Sequence, residues 1–205
     1  LGSNTTASNN TAVGRSALAA NTTGQALAAV GASALAVNTT GDFNTAVGSQ
    51  ALDANTEGSN CTAVGDRALT KNTTADNNTA VGQASMHENT TGTNNSAFGL
   101  GSLYANTTGV HNTSVGRSNL GANTTGSFNV AVGSVALDAN TTAGSNVAVG
   151  YSAMGGNTTG SENVGIGHEA LFANTTASTN TAVGYRGLKF NTTGVNNVAV
   201  GHVAL

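Results

Sequence analysis

The chain has no proline, no tryptophan and one cysteine, and only 7% of its 205 residues are charged. An ordinary globular domain carries about 25% charge. Each scarcity excludes something. Six Lys and Arg residues spread along the chain form no basic patch, so neither nucleic acid nor an anionic membrane surface is an expected partner. No apolar run approaches the length of about 18 residues that a membrane helix needs, so no membrane insertion is expected. The lone Cys61 excludes an intrachain disulfide framework, and an inert thiol is its plainer reading. Leu, Ile, Val and Phe together make up less than a fifth of the chain, and aromatics only 4%. That is too little for an enzyme built around one large hydrophobic centre. A net charge of −3 is too small for the charged type of disordered chain. No signal peptide is visible and the chain opens at Leu1 rather than Met, which reads as an excerpt or a processed product.

What is abundant is Asn, Thr, Gly and Ala, and these recur at fixed spacing. From Asn10 the chain divides into 17-residue units without insertion or deletion, beginning at Asn10, Leu27, Asn44, Cys61, Asn78, Asn95, Asn112, Asn129, Asn146, Asn163 and Asn180. Residues 1–9 form a partial unit and 197–205 a truncated one, so 1–205 is read as one repeat domain. The consensus is N-T-A-V-G-x-x-A-L-x-A-N-T-T-G-x-x. Position 5 is Gly in every unit, including Gly14, Gly48, Gly133 and Gly150. Position 12 is Asn in every complete unit, including Asn21, Asn123 and Asn140. Position 4 is Val (Val132, for example) except for Phe98 and Ile166. Position 9 is Leu (Leu137, for example) except for Met86 and Met154.

A residue constant in every unit implies an environment constant in every unit, as when each unit is one coil of a solenoid. Seventeen residues are too few for a helix pair, and Asn, Thr and Gly at fixed offsets break helices. The reading is all-β: a single parallel β-solenoid of about twelve 17-residue coils. Strands are expected at positions 1–4 and 7–10, with turns at the position-5 Gly and the N-T-T-G segment. Alternation would turn the Val at position 4 inward with position 2, and the Ala at position 3 outward. Leu at position 9 would close the core, and Asn at position 12 would stack coil upon coil. The position-5 Gly implies positive φ or close approach of a neighbouring chain. The position-15 Gly fits a tight turn, although Ala75, Ala143 and Ala177 at this position argue against an obligatory positive φ.

Two large aliphatic side chains per coil make a thin core, so another face should be buried. The small Ala at positions 3 and 8 supply stripes for close packing between chains. The expectation is a homo-oligomer, a C3 trimer, with the Ala faces at the interface. Neither end shows a polar cap, which implies a longer natural molecule or end-to-end stacking into a fibre.

The motif N-T-A-V-G-x-x-A-L-x-A-N-T-T-G, as in Asn10–Gly24 and (with Glu57 for Thr) Asn44–Gly58, resembles repeats of phage tail-fibre and related surface-fibre proteins. Its A-V-G core is also similar to the V-A-I-G coil of trimeric autotransporter adhesin heads, which are left-handed parallel β-rolls with a usually shorter coil. The resemblance implies an extracellular trimeric fibre or adhesin, at the cell surface or on a virion. It brings no catalytic residues.

No enzyme chemistry is expected from the residues themselves. The nine acidic residues are scattered, and Asp53 and Asp138, which share position 10, lie five coils apart. No Asp column suits calcium, the G-x-G segments lack a nucleotide fingerprint, and no cofactor or metal is implied. N-T-T is formally an N-glycosylation sequon, but a ladder Asn is buried, so an Asn such as Asn9 or Asn77 is the better acceptor. Thr at positions 13 and 14 raises an alternative function, an ice-binding solenoid. Adjacent strand residues face opposite sides, so one of these columns should face out. The second column would be position 2, where Val130, Val147, Val164, Val198 and Ala28 interrupt it, and Glu57 interrupts position 14.

The most informative variable column is position 6, which reads Tyr151, His168, Tyr185, His202 in the last four coils. Beside it, Glu169 and Arg186 at position 7 can pair across coils. A solvated stack without ligand is the plainer reading. The functional one is a contact stripe for a cell-surface glycan or protein receptor, because exposed rings suit sugar faces and protein hot spots. The expected function is thus a structural and adhesive rod segment of an extracellular fibre, presenting variable side chains on an invariant scaffold.

Overall fold

In the computed structural model, which describes residues 2–205, the chain forms one parallel sheet of twelve strands in strict chain order. The strands run from β1 (Thr11–Val13), β2 (Ala28–Val30) and β3 (Thr45–Val47) through β4 (Thr62–Val64), β5 (Thr79–Val81) and β6 (Ser96–Phe98). They continue through β7 (Thr113–Val115), β8 (Val130–Val132), β9 (Val147–Val149), β10 (Val164–Ile166), β11 (Thr181–Val183) and β12 (Val198–Val200). Every pair is in register at the 17-residue offset, for example Val130↔Val147 and Val132↔Val149. The β-solenoid read from the repeat is therefore the fold. At about 4.8 Å per coil, twelve coils make a stack of about 55–60 Å.

Each coil contains one strand of three residues, at positions 2–4, and not two. Positions 7–10 lie in turns because the backbone there visits the left-handed region at every second residue. Val135 and Leu137 have φ of 51° and 50°, and the other coils repeat the pattern at positions 7 and 9. Such a segment cannot extend, yet it still bonds its neighbours in both directions. The position-7 N–H donates to the preceding coil, as from Ser33 to the Arg15 carbonyl at 2.8 Å. The position-9 N–H donates to the following one, as from Leu18 to the Ala34 carbonyl at 3.1 Å. A left-handed leucine costs about 1–2 kcal/mol. Complete burial of the side chain, about 1.5–3 kcal/mol, offsets it.

The facing of the strand is the reverse of the expectation. Position 3 is buried and position 4 points outward, so Val132 lies on the surface side and not in the core. Val13, Val47 and Val115 are among the exposed large side chains. The interior of a coil holds one long side chain, Leu or Met at position 9, and only small residues fit opposite it. These are the Ala at positions 3 and 8, such as Ala131 and Ala136, both wholly buried. The Ala columns are thus core within one chain, and they cannot form an interface between chains.

The rest of the interior is amide. At position 12 each Asn from Asn38 on donates from Nδ2 to the Oδ1 of the preceding coil's Asn, as Asn140 does to Asn123 at 2.8 Å. The same Nδ2 also donates to the position-15 carbonyl, as Asn21 does to Gly24 and Asn123 to Gly126. A second ladder, not read as such from the sequence, runs down position 1. Asn129 Oδ1 accepts the Asn146 N–H, while Asn146 Nδ2 donates to the Gly160 carbonyl. Within the column, Cys61 imitates Asn: its thiol donates to the Ala75 carbonyl at 3.3 Å and its sulfur faces the Asn78 N–H.

The position-5 glycines answer to both causes at once. Gly133 has φ +127°, and a Cβ there would lie 2.5 Å from the Gly150 carbonyl oxygen of the next coil. Gly150 repeats this at φ +133° and 2.6 Å from the Gly167 oxygen, and Gly14 and Gly48 share the positive φ. The close approach is between coils of one chain.

Candidate functional site

Since the scaffold fixes positions 1, 3, 5, 8, 9 and 12, distinctive chemistry is confined to outward columns. Position 6 follows the glycine turn, and its side chains project to solvent in the last four coils. Tyr151, His168, Tyr185 and His202 are all exposed, Tyr151 most clearly at 54%. One coil of rise brings successive rings together. Their centroids are 5.2 Å apart for Tyr151–His168, 5.3 Å for His168–Tyr185 and 5.1 Å for Tyr185–His202, with interplanar angles of 26°, 27° and 14°. The four rings named from the sequence therefore form one continuous stack, offset in the manner that aromatic quadrupoles favour.

An ion cluster borders the stack. Arg186 Nε donates to Glu169 Oε2 at 2.7 Å, the pair expected from position 7. Lys189, from position 10 of the same coil as Arg186, donates to the same oxygen at 2.7 Å. These two bonds, Lys189 first, hold the Glu169 carboxyl below its ordinary range. The Arg186 guanidinium also lies over the Tyr185 ring, 4.9 Å from its centroid. The Lys189 ammonium lies 5.8 Å from the Phe172 ring and 5.5 Å from Phe190. A cation over a ring face is attracted by the ring quadrupole. Lys189 and the two Phe were not part of the sequence reading, although the signal was of the same kind, since Phe172 and Lys189 are neighbours at position 10.

Two shorter ring stacks were also missed. His87 and Tyr104 at position 10 stack at 5.2 Å, and His111 and Phe128 at position 17 at 5.0 Å. Each is legible as two rings 17 residues apart. A bond from Lys71, and then one from His87, lowers the Glu88 carboxyl. Asp53 and Asp138 stand apart, with carboxyls raised by partial burial. Among the described residues there is no cavity and no group of three His, Cys, Asp or Glu side chains placed to share a metal ion.

The Thr columns divide as adjacency requires. From Thr22 to Thr158 the position-13 hydroxyls donate to the next coil's backbone, as Thr124 Oγ1 does to the Thr141 carbonyl at 3.1 Å. Position 14 is exposed throughout. From Asn21 to Asn174 the N-T-T Asn residues are buried in the ladder, whereas Asn9 and Asn77 are exposed.

Among the described residues, no helix is long and apolar enough to cross a membrane. No family model, no curated protein and no solved structure matches this chain.

Proposed function

We propose that this chain is a structural and adhesive rod segment of an extracellular fibre, without enzymatic activity, on which the Tyr151–His168–Tyr185–His202 stack is the contact stripe for a cell-surface glycan or protein receptor. The observation that carries the reading is the stack itself, four exposed rings at spacings of 5.1–5.3 Å on a backbone bonded to the neighbouring coils. Rings held in this way lose little freedom on binding, and the stack presents a row of ring edges and polar tips to a ligand. The division of labour within the repeat supports it too. Core and turn positions hardly vary, while the surface columns carry almost all the variation.

The test is a Tyr151→Ala/Tyr185→Ala double variant, assayed for attachment to candidate host cells and on a glycan array beside the parent chain. Attachment by the parent that falls at least tenfold in the folded variant supports the stripe. Undiminished attachment by the variant removes the stripe from the reading, and a parent that attaches to nothing leaves the segment a passive spacer.

A second reading, ice binding, is favoured by one specific observation. The Thr at position 14, such as Thr125 and Thr142, form an exposed column interrupted only by Glu57, and Thr at position 2 adds outward hydroxyls in six coils. Thermal hysteresis separates the two readings: activity at high protein concentration supports ice binding, and its absence removes it.

A further inference from the structure

Positions 2 and 4 leave one face of the twelve-stranded sheet turned toward solvent along its whole length. Position 4 is Val in every coil except Phe98 and Ile166. Position 2 is Thr or Ser in seven coils, Val in four and Ala in one. No residue in either column is charged, whereas all six Lys and Arg and all nine Asp and Glu lie in the other surface columns.

Strand propensity does not account for this face. Val and Thr both favour strands, and Thr would be the soluble choice at an outward position. Position 2 uses Thr in six coils, but position 4 never does, although its side chain is not needed inside the coil. Val is thus retained in ten coils and replaced only by Phe or Ile in the other two, at a place where the monomer leaves it half-buried at most. An outward sheet face normally reads as polar.

The dimensions suit a partner of the same build. Twelve coils at about 4.8 Å and a strand of three residues give a strip of about 55 by 10 Å, or about 550 Å² in footprint. That lies at the upper end for the largest apolar patch of a soluble monomer. Flanking residues bring it toward the 800 Å² or so that each partner contributes to a standard interface. A partner for this strip must be uncharged, flat and repeated at the strand spacing. A second copy of this chain meets all three conditions, since two such sheets can pack face to face at about 10 Å.

We infer that two copies of the chain bury their sheet faces against one another, with the position-4 columns at the centre and the position-2 columns beside them. Each chain has one such face, and a two-fold contact uses it up and closes the assembly. The inference is independent of the ring stack, which lies beyond the glycine turn at position 6.

Sedimentation velocity over a range of concentrations tests it. The parent is expected at twice the chain mass of 19.9 kDa. A Val81→Lys/Val132→Lys variant is expected at the single-chain mass with an unchanged circular dichroism spectrum. A gentler Val81→Thr/Val132→Thr pair keeps two strand formers and should raise the dissociation constant about tenfold or more. Thr125→Lys, in the exposed position-14 column, should leave the dimer intact. A parent at the single-chain mass at every concentration overturns the inference, as does a dimer that neither Val pair weakens. A three-fold mass overturns the two-fold pairing, and a single-chain parent with thermal hysteresis replaces the second copy with ice.

Discussion

Met154 fills the space that a methyl group at residue 165 would need. A Cβ on Gly165 would lie 2.8 Å from Met154 Cγ and 3.2 Å from Sδ. In ten other coils position 3 is Ala, and Ser114 occupies it in the remaining one. Met86 meets a wholly buried Ala97 at the equivalent place, so the crowding belongs to the Met154–Gly165 pair as it packs here and not to methionine at position 9 in general.

The pair sets up a double-mutant cycle. Gly165→Ala alone should destabilise by about 1–2 kcal/mol through overpacking against Met154. With Met154→Leu added, the consensus pair is restored, the cost should disappear, and the loss of a strand glycine should bring stability to or above that of the parent. Chemical denaturation of the four proteins measures this. A Gly165→Ala single variant more stable than the parent would show that the two side chains do not compete.

The position-5 turn predicts a contrast between neighbours. Gly133→Val forces a β-branched residue to φ +127° with its Cβ against the Gly150 carbonyl. The loss should reach about 4 kcal/mol or more. Ser134→Val, one residue later and half-exposed, should change stability by about 0.5 kcal/mol or less. Equal tolerance at both positions in thermal unfolding would refute the requirement for glycine.

How far the sequence was legible follows from what repetition reports. Invariance at Gly133, Asn140 and Leu137 marks constant surroundings, and the turn, the amide ladder and the buried Leu all follow from it. Register follows as well, because a constant residue must meet its own copy 17 residues on. Invariance does not report direction. Val132 is as constant as Leu137, and a hydrophobic column is read as core by default, although here it faces out. The left-handed residues at positions 7 and 9 were illegible for a related reason. Val135 and Leu137 are poor candidates for positive φ, and what holds them there is the burial of Leu137 and the N–H bonds that both make to neighbouring coils. Of the candidate site, the four rings were legible from spacing alone. Lys189 was not, since it reaches Glu169 from a different column.

A polar defect in the core predicts a gain of stability. Asn119 occupies position 8, which is Ala in most coils, and is wholly buried. Its Nδ2 donates to the Val115 carbonyl at 2.7 Å and the Ala131 carbonyl at 3.3 Å, but its Oδ1 has no partner among the described residues. Both carbonyls belong to sheet strands, so they keep backbone partners when the amide is removed. An unpaired buried acceptor costs about 1–3 kcal/mol. Asn119→Ala should therefore stabilise by about 1 kcal/mol in chemical denaturation. Destabilisation by 1 kcal/mol or more would mean that the two donated bonds outweigh the orphaned oxygen.

Cys61 predicts a loss of stability at alkaline pH. Burial, the largest cause, pushes its thiol up to about 11 from an ordinary value of 9.0, with the Asp76 charge adding to the rise and the Asn78 and Asn77 N–H groups opposing it. The folded state thus holds the proton more tightly than the unfolded chain. The associated stability is fully present below pH 9 and is lost as pH rises from about 9 through about 11. Two units correspond to about 2–3 kcal/mol at the upper end. Cys61→Asn puts back the residue that position 1 carries in ten of its twelve occurrences, and Asn78 N–H would then meet an amide oxygen that does not titrate. The parent should lose stability between pH 9 and 11 in chemical denaturation, and Cys61→Asn should lose about 2 kcal/mol less over the same interval. Tyr and Lys titration affects both proteins equally, so the difference between them isolates the thiol. Parallel curves for parent and variant would show that the sulfur stays neutral in both states, or that alkali opens the ladder around it before it ionises.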